Sequence, residues 1–338
     1  MSRTMREPDF WWRAPGLAAM LASPLGTVYG RIAAARLRRP GRTLPVPVVC
    51  VGNLTLGGAG KTPTAIAIAR LLQGAGLKPI FLTRGYKGRL KGPLTVTPGA
   101  AAADVGDEPL LLARTAPTIL ARDRVAGAQA ALAAGARVIV MDDGLQNPSL
   151  AKSLALVVLD GRRGIGNGCV FPAGPLRLGL EAQLDVAHAL LVIGPPSDLA
   201  LSVLDATRRR GLPVFSGRVL PDPAAVAALR GKRLLAYAGI ADPGKFFATL
   251  ANAGLAPVRT AHFADHHAFT ETEAARLIAD AAADGLTLVT TEKDFLRLQG
   301  DPALAALAAA SATLPVGLVI DDTAGLRAVL AARTGLRL

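Results

Sequence analysis

The stretch Val48-Val49-Cys50-Val51-Gly52-Asn53-Leu54-Thr55-Leu56-Gly57-Gly58-Ala59-Gly60-Lys61-Thr62 decides the fold class. It begins as an apolar, β-branched run, breaks into glycines, and ends in Lys-Thr ahead of a periodic helical segment. A buried strand that feeds a glycine-rich turn and a helix N-terminus builds a cradle for phosphate. Backbone N–H groups converge on the anion, and the helix dipole adds to the attraction. In this reading Thr55-Leu56-Gly57-Gly58-Ala59-Gly60-Lys61-Thr62 wraps the terminal phosphates of a nucleotide. Lys61 reaches the β- and γ-phosphates, and the Thr62 hydroxyl binds Mg²⁺. The strict phosphate-loop pattern has glycine where this chain has Thr55; the pair Gly57-Gly58 supplies positive-φ positions instead.

Outward from the loop, the pattern alternates between strand and helix. Residues 63–72 read as the helix after the loop, ended by Gly74 and Gly76. A short strand at 78–83 runs into the basic, glycine-rich Arg84-Gly85-Tyr86-Lys87-Gly88-Arg89. Residues 137–141 are apolar and close on Asp142-Asp143, which is how phosphate-loop enzymes bring carboxylates to Mg²⁺. Residues 154–160 form another strand ending in aspartate, followed by an irregular stretch at 161–180 whose prolines and apolar residues indicate order. A second α/β pattern starts near Lys232, after a proline-rich linker at 220–224, and residues 303–312 read as helix. The expected fold is α/β: a phosphate-loop NTPase-like parallel sheet flanked by helices, a smaller second α/β lobe and an N-terminal membrane-associating helix. The expected division is 1–40 for the membrane-associating segment, 41–222 for the phosphate-loop domain and 223–338 for a lobe closing over the cleft.

Composition narrows the partners. Lys and Arg total 38 against 25 Asp and Glu, and an excess of +13 points to an anionic partner such as a phosphorylated substrate or a membrane surface. Nucleic acid is a poorer fit, because the arginines gather near the N-terminus and in glycine loops without interleaved aromatics. Two cysteines, Cys50 and Cys169, offer neither a disulfide framework nor zinc spacing, which fits a reducing compartment. Near the N-terminus, Trp11-Trp12 precedes an apolar stretch. Ser23-Pro24 then reads as a helix start, with Leu25, Val28, Tyr29 and Ile32 on one face and Arg31, Arg36, Arg38 and Arg39 towards the end. Paired tryptophans, an apolar face and terminal arginines suit a helix that lies on or dips into a bilayer without spanning it.

Taken in order, the loop at 52–63, Thr83-Arg84-Gly85-Tyr86, Gly106-Asp107-Glu108-Pro109, Asp142-Asp143-Gly144-Leu145-Gln146, Gly166-Asn167-Gly168, Pro172-Ala173-Gly174-Pro175-Leu176-Arg177, Asp265-His266-His267 and Thr291-Glu292-Lys293-Asp294 resemble the tetraacyldisaccharide 4′-kinases of lipid A biosynthesis. The resemblance implies ATP- and Mg²⁺-dependent phosphorylation of the 4′-hydroxyl of a tetraacyldisaccharide 1-phosphate at the cytoplasmic face of the inner membrane. No nucleic acid and no obligate protein partner are implied. It further implies Asp107 as catalytic base paired with His266, Lys61 and Thr62 on phosphates and Mg²⁺, and Asp142 and Asp143 on the metal. Arg84, Tyr86, Asn167 and Arg177 would line the lipid headgroup site. Two positions depart from the family pattern: Asn147 stands where His is usual and Leu178 where Glu is usual, with Glu181 as a nearby substitute. By chemistry alone, Asp107 also suits an ordinary helix start and His266 a helix cap. Two rivals are a phosphate-loop GTPase of the metallochaperone type, which needs a Cys/His metal cluster, and a membrane-bound nucleotide sensor without turnover. Thr291-Glu292-Lys293-Asp294 has the wrong spacing for a guanine reader and fits a nucleotide-side or lobe-closing loop.

Overall fold

The computed structural model describes residues 7–338, so the first six residues of the expected 1–40 segment lie outside it. In chain order the strands are β1 (Val48–Asn53), β2 (Pro79–Thr83), β3 (Leu94–Thr95), β4 (Thr118–Leu120), β5 (Val138–Asp142), β6 (Leu154–Asp160), β7 (Ala189–Ile193), β8 (Val214–Pro221), β9 (Leu234–Ala238), β10 (Arg259–His262), β11 (Thr287–Thr290), β12 (Ser311–Thr313) and β13 (Val316–Ile320). Nine of them form one sheet in the order β13-β8-β7-β6-β1-β5-β2-β4-β3, and the other four a second sheet, β10-β9-β11-β12. The large sheet is parallel except at its edges, where β13 runs against β8 and β3 against β4. β1, β5 and β6 are buried along their whole length, as strands covered on both faces must be, and their sequences are accordingly almost unbroken in apolar residues.

This topology places the site. β1 lies between β5 and β6, with Val51 opposite Asp142 and Asn53 opposite Val158. The connection from β1 through helix α2 (Lys61–Gly74) leads to β2, beyond β5, while β6 to β8 extend the sheet the other way. The carboxyl end of β1 is thus a topological switch point, where crossovers diverge and leave a crevice.

Two expectations about the C-terminal third need correction. The segment 223–338 does not form one lobe: the second sheet ends with β12, and β13 returns to the edge of the first sheet. Leu326 and Leu330 of the final helix then join the core containing Val49, Ile68 and Val158. The proline-rich linker is ordered, with β8 running to Pro221 and Asp222 capping the helix Pro223–Leu229 through the N–H of Ala225 at 2.8 Å. The helix expected at 303–312 stops at Ala310, because Ser311–Thr313 pairs with β11; strand pairing overrides alanine's helix preference there.

Helix α1 (Leu17–Leu37) begins earlier than expected, so Ser23 and Pro24 lie inside it instead of at its start. Its small residues make the contact with the body. Gly26 sits so near the Val170 carbonyl that a β-carbon would come within 2.7 Å of it, and Gly30 faces the Val170 side chain. Tyr29 and Trp11 meet Phe171 edge-on. The bulky residues point away: Leu17, Met20, Leu21, Leu25, Val28 and Ile32 are all exposed, Leu21 at 78%. No described helix is long and apolar enough to cross a membrane.

Candidate active site

The glycine-rich loop leaves β1 and enters α2 through Gly60, whose φ of 90° belongs to the left-handed region, as does Gly57 at 95°. Both are conformations a side chain would strain, so these glycines set the curl of the loop. Lys61 Nζ donates to the Gly57 carbonyl at 3.5 Å and stands 3.6 Å from Asp143 Oδ1. The Thr62 hydroxyl donates to Asp142 Oδ2 at 3.3 Å. Residues 56–62 line one cavity of about 2240 Å³, which also takes in Arg84, Tyr86, Asp143, Arg177 and His266. Thr55 is not on that wall. It is buried, bridged to Leu176, and its carbonyl accepts from Arg177 Nε at 3.0 Å, so it ties the loop down and does not face the cavity.

Asp142 and Asp143 close β5 beside the loop. Burial, then the negative charges of Glu108 and Asp143, push the Asp142 carboxyl up to about 7. Asp143 goes the other way. Burial opposes its ionisation, but Lys61 and Arg177 outweigh burial and hold it below the usual carboxylate range. Arg177 Nη2 donates to Asp143 Oδ2 at 3.1 Å. One oxygen of each carboxylate, Oδ1, is buried without a hydrogen-bond partner, an expensive arrangement that a cation would relieve.

Asp107 is 3% exposed and does not itself reach the cavity. It starts the helix Asp107–Ala113, and its Oδ1 accepts the N–H of Glu108 at 2.8 Å. His266 Nδ1 is 3.1 Å from its Oδ2, and the His266 ring, edge-on to Tyr86 at 5.5 Å, is the member of the pair on the cavity wall. Burial would raise the Asp107 carboxyl, but the hydrogen bond from His266 and the charges of Lys293 and Arg297 together hold it well below its ordinary range.

One expected headgroup residue, Asn167, lies off the cavity. Asn167 donates from Nδ2 to the Ala173 carbonyl at 2.9 Å, while its Oδ1 accepts the Cys169 N–H at 3.0 Å. Its amide is spent on backbone, and it is a fastener of the 161–180 stretch, not part of the cavity wall. Glu181 pairs with Arg210 at the surface, away from the cavity, so it does not replace the carboxylate missing at Leu178, which is itself in the core. Asn147 caps a turn, accepting the Ser149 N–H at 2.9 Å.

Three further residues belong to the site. Glu108 lines the cavity and accepts from Lys293 Nζ at 2.9 Å, joining the first sheet's side to the second lobe. Asp160, at the end of β6, accepts from Lys245 Nζ at 2.9 Å and from the N–H groups of Arg162 and Arg163. Arg297 crosses from the helix Glu292–Leu298 to Asp107. Asp160 is legible as an aspartate closing an apolar strand and Glu108 as part of Gly106-Asp107-Glu108-Pro109, whereas Arg297 carries no local signal.

Comparison with known proteins supplies the family. A crystal structure of the "apo" form of LpxK from Aquifex aeolicus in complex with ATP aligns with a TM-score of 0.72 at 25% identity, covering 94% of this chain and all of that one. The tetraacyldisaccharide 4′-kinase of Methylobacterium sp. (strain 4-46) is 58% identical over 332 residues, 97% of this chain and 98% of the relative. That of Nitrobacter winogradskyi is 52% identical over 330 residues, 96% and 97% of the two chains. The family model for tetraacyldisaccharide-1-P 4′-kinase matches residues 18–335. The phosphate loop, Asp143 and His266 share one cleft, and by the family match and these relatives the chain belongs to the tetraacyldisaccharide 4′-kinase family.

Proposed function

We infer that this protein is a phosphotransferase that moves the γ-phosphate of ATP to the 4′-hydroxyl of a tetraacyldisaccharide 1-phosphate in lipid A biosynthesis. The observation that carries the reading is the shared cavity: one space bordered by the phosphate loop, by His266 and Tyr86, and by Phe10, Trp11 and Ala22 of the N-terminal segment. Its volume exceeds the several hundred Å³ usual for a single small ligand, leaving room for a nucleotide and a sugar together.

Mg²⁺ suits the residues present. The Thr62 hydroxyl and the orphaned carboxylate oxygens of Asp142 and Asp143 would hold it, and when bound it offsets charge on the phosphates. Among the described residues no group of three or more His, Cys, Asp or Glu side chains forms a metal cage, which agrees with an ion that keeps water and phosphate oxygens as ligands. Lys61 supplies positive charge from a position fixed by Gly57 and Asp143.

The Asp107–His266 pair takes the proton of the sugar hydroxyl. With Nδ1 turned to Asp107, the other ring nitrogen of His266, Nε2, lies 3.8 Å from Asp265 Oδ1 at the cavity wall, while Asp107 holds the ring in place and balances the charge it gains. Phosphoryl transfer through a loose transition state needs this proton accepted only late, so the pair contributes less than the phosphate cradle. Replacing Asp107 or His266 by alanine should lower kcat by about a hundredfold and leave ATP affinity unchanged. Steady-state turnover with a detergent-dispersed disaccharide precursor checks it, and near-normal rates in both variants would remove the assignment.

Membrane attachment is peripheral, on the cytoplasmic face of the inner membrane. The outward row Leu17, Leu21, Leu25, Val28 and Ile32 follows helical spacing, and Arg31, Arg36, Arg38 and Arg39 suit anionic headgroups. A double change, Leu21→Glu with Leu25→Glu, should abolish co-flotation with vesicles rich in anionic lipid, and unchanged flotation would contradict the surface-lying helix.

A further inference from the structure

Asp107 and His266 come from the two lobes, and a single side chain fixes both. Arg297 is almost buried, its side chain 9% exposed. Its Nε donates to Asp107 Oδ2 at 3.0 Å, and Nη2 donates to the same oxygen. Its Nη1 donates to the Gly239 carbonyl at 2.8 Å and to Asp294 Oδ1 at 2.6 Å. The Gly239 carbonyl also accepts the backbone N–H of His266 at 2.9 Å. Since His266 Nδ1 reaches Asp107 Oδ2 at 3.1 Å, the contacts close into a ring: Asp107, Arg297, Gly239, His266 and back to Asp107.

Each joint of that ring is constrained. His266 has a φ of 55°, a left-handed backbone uncommon outside glycine, and the Gly239 carbonyl that accepts its N–H helps to hold it. A β-carbon on Gly239 would lie 3.1 Å from both Asp294 Oδ1 and the His267 β-carbon, so the strand-end turn carrying the carbonyl cannot easily shift. Asp294 accepts the Gly239 N–H at 3.0 Å, which locks the same turn from its other side. On the first lobe, Asp107 Oδ1 is engaged by the Glu108 N–H, so its carboxylate plane is set from both ends. A planar guanidinium can bridge a carboxylate and a carbonyl in fixed directions; an ammonium cannot.

We propose that Arg297 is a positioning residue for phosphoryl transfer, setting the Asp107 carboxylate and the His266 backbone in one register so that the imidazole meets the sugar hydroxyl. The proposal rests on Asp107 and His266 being the proton-accepting pair. Arg297 is not on the cavity wall; it acts through the pair, from a contact that spans the two lobes.

The test compares the full-length protein with Arg297→Ala, Arg297→Lys and Asp107→Ala, measuring kcat and the KM for ATP with Mg²⁺ and the dispersed lipid precursor. Arg297→Ala should lose about thirty- to a hundredfold in kcat with the KM for ATP within about twofold, the size expected when a reacting group drifts by an ångström. Arg297→Lys keeps the charge and the fold; it should remain about tenfold or more below normal, because it cannot bridge both partners. Guanidinium at a low, non-denaturing concentration should restore part of the turnover of Arg297→Ala and none of that of Asp107→Ala. Full activity in Arg297→Lys, or no guanidinium rescue of a folded Arg297→Ala, overturns the proposal while leaving the pair intact. Full activity in Asp107→Ala instead removes the pair, and the positioning role with it.

Discussion

Lys61→Ala should cost about a hundred- to a thousandfold in kcat, the penalty typical of deleting one preorganised charge at a reacting centre. The lysine is 10% exposed and held by the Gly57 carbonyl and by Asp143, so its charge is in place before any nucleotide arrives. Loss of the ammonium acts twice. The phosphates lose their nearest cation, and Asp143 loses the first of the charges that oppose its burial. Asp143 should then titrate higher and lose the ammonium that helps position it, which alters its hold on a divalent ion. Single-turnover transfer from labelled ATP reads the first effect, and the Mg²⁺ concentration needed for half-maximal rate reads the second. A variant within tenfold of normal turnover, with unaltered Mg²⁺ dependence, would refute the role given to this lysine.

Asp142→Asn should abolish Mg²⁺-dependent turnover by a similar factor, about a hundredfold or more, yet make the cation-free protein more stable at alkaline pH. The sign follows from linkage. The folded carboxyl titrates at about 7 against 3.8 for an ordinary aspartate, so between those values the folded state holds a proton that the unfolded state has released. Stability without a cation therefore falls as pH rises through that window, and the whole penalty is present above about pH 7. A shift of this size has a ceiling of about 4 kcal/mol, which asparagine would recover in part. Thermal unfolding in chelator should show the variant more stable than the natural chain at pH 8 and the two converging near pH 4. Excess Mg²⁺ should stabilise only the natural chain. A variant that melts lower at pH 8 in chelator would contradict a destabilising buried charge at Asp142, whose Oδ1 has no hydrogen-bond partner.

Such a penalty is a reasonable one for a metal site to carry. Leaving Asp142 Oδ1 and Asp143 Oδ1 without hydrogen-bond donors is poor structure and good ion chemistry, because a cation brought in with a nucleotide would satisfy them.

Legibility in the sequence tracked how local each feature is. The phosphate loop, α2 and the β5 end at Asp142 are each encoded within a dozen or so consecutive residues, through burial, glycine chemistry and strand periodicity, and the structure places them side by side. The expected partnership of His266 with Asp107 crosses the two lobes and rested on resemblance, since neither residue sits in a distinctive local pattern. Asn167 was misjudged because an amide in a glycine-rich stretch looks the same whether it meets ligand or backbone; only the Ala173 and Cys169 contacts separate the two. Arg297 gave no signal, as one arginine on a short helix is ordinary until the facing carboxylate is known. The return of β13 was equally hidden, because strand order in a sheet is a property of tertiary pairing and not of the strand's own residues.

That return has a consequence for how the two halves can move and be cut. The outgoing and incoming chains lie side by side, with the N–H of Asp222 donating to the Pro315 carbonyl at 2.8 Å. The smaller lobe is therefore a domain spliced into a larger one on a paired ribbon, which favours swinging about the ribbon over free tumbling. Deleting everything after residue 222 would not trim an appendage: it would strip an edge strand and the terminal helix from the larger body. Bridging 222 to 315 with a short turn is the excision that leaves that body whole.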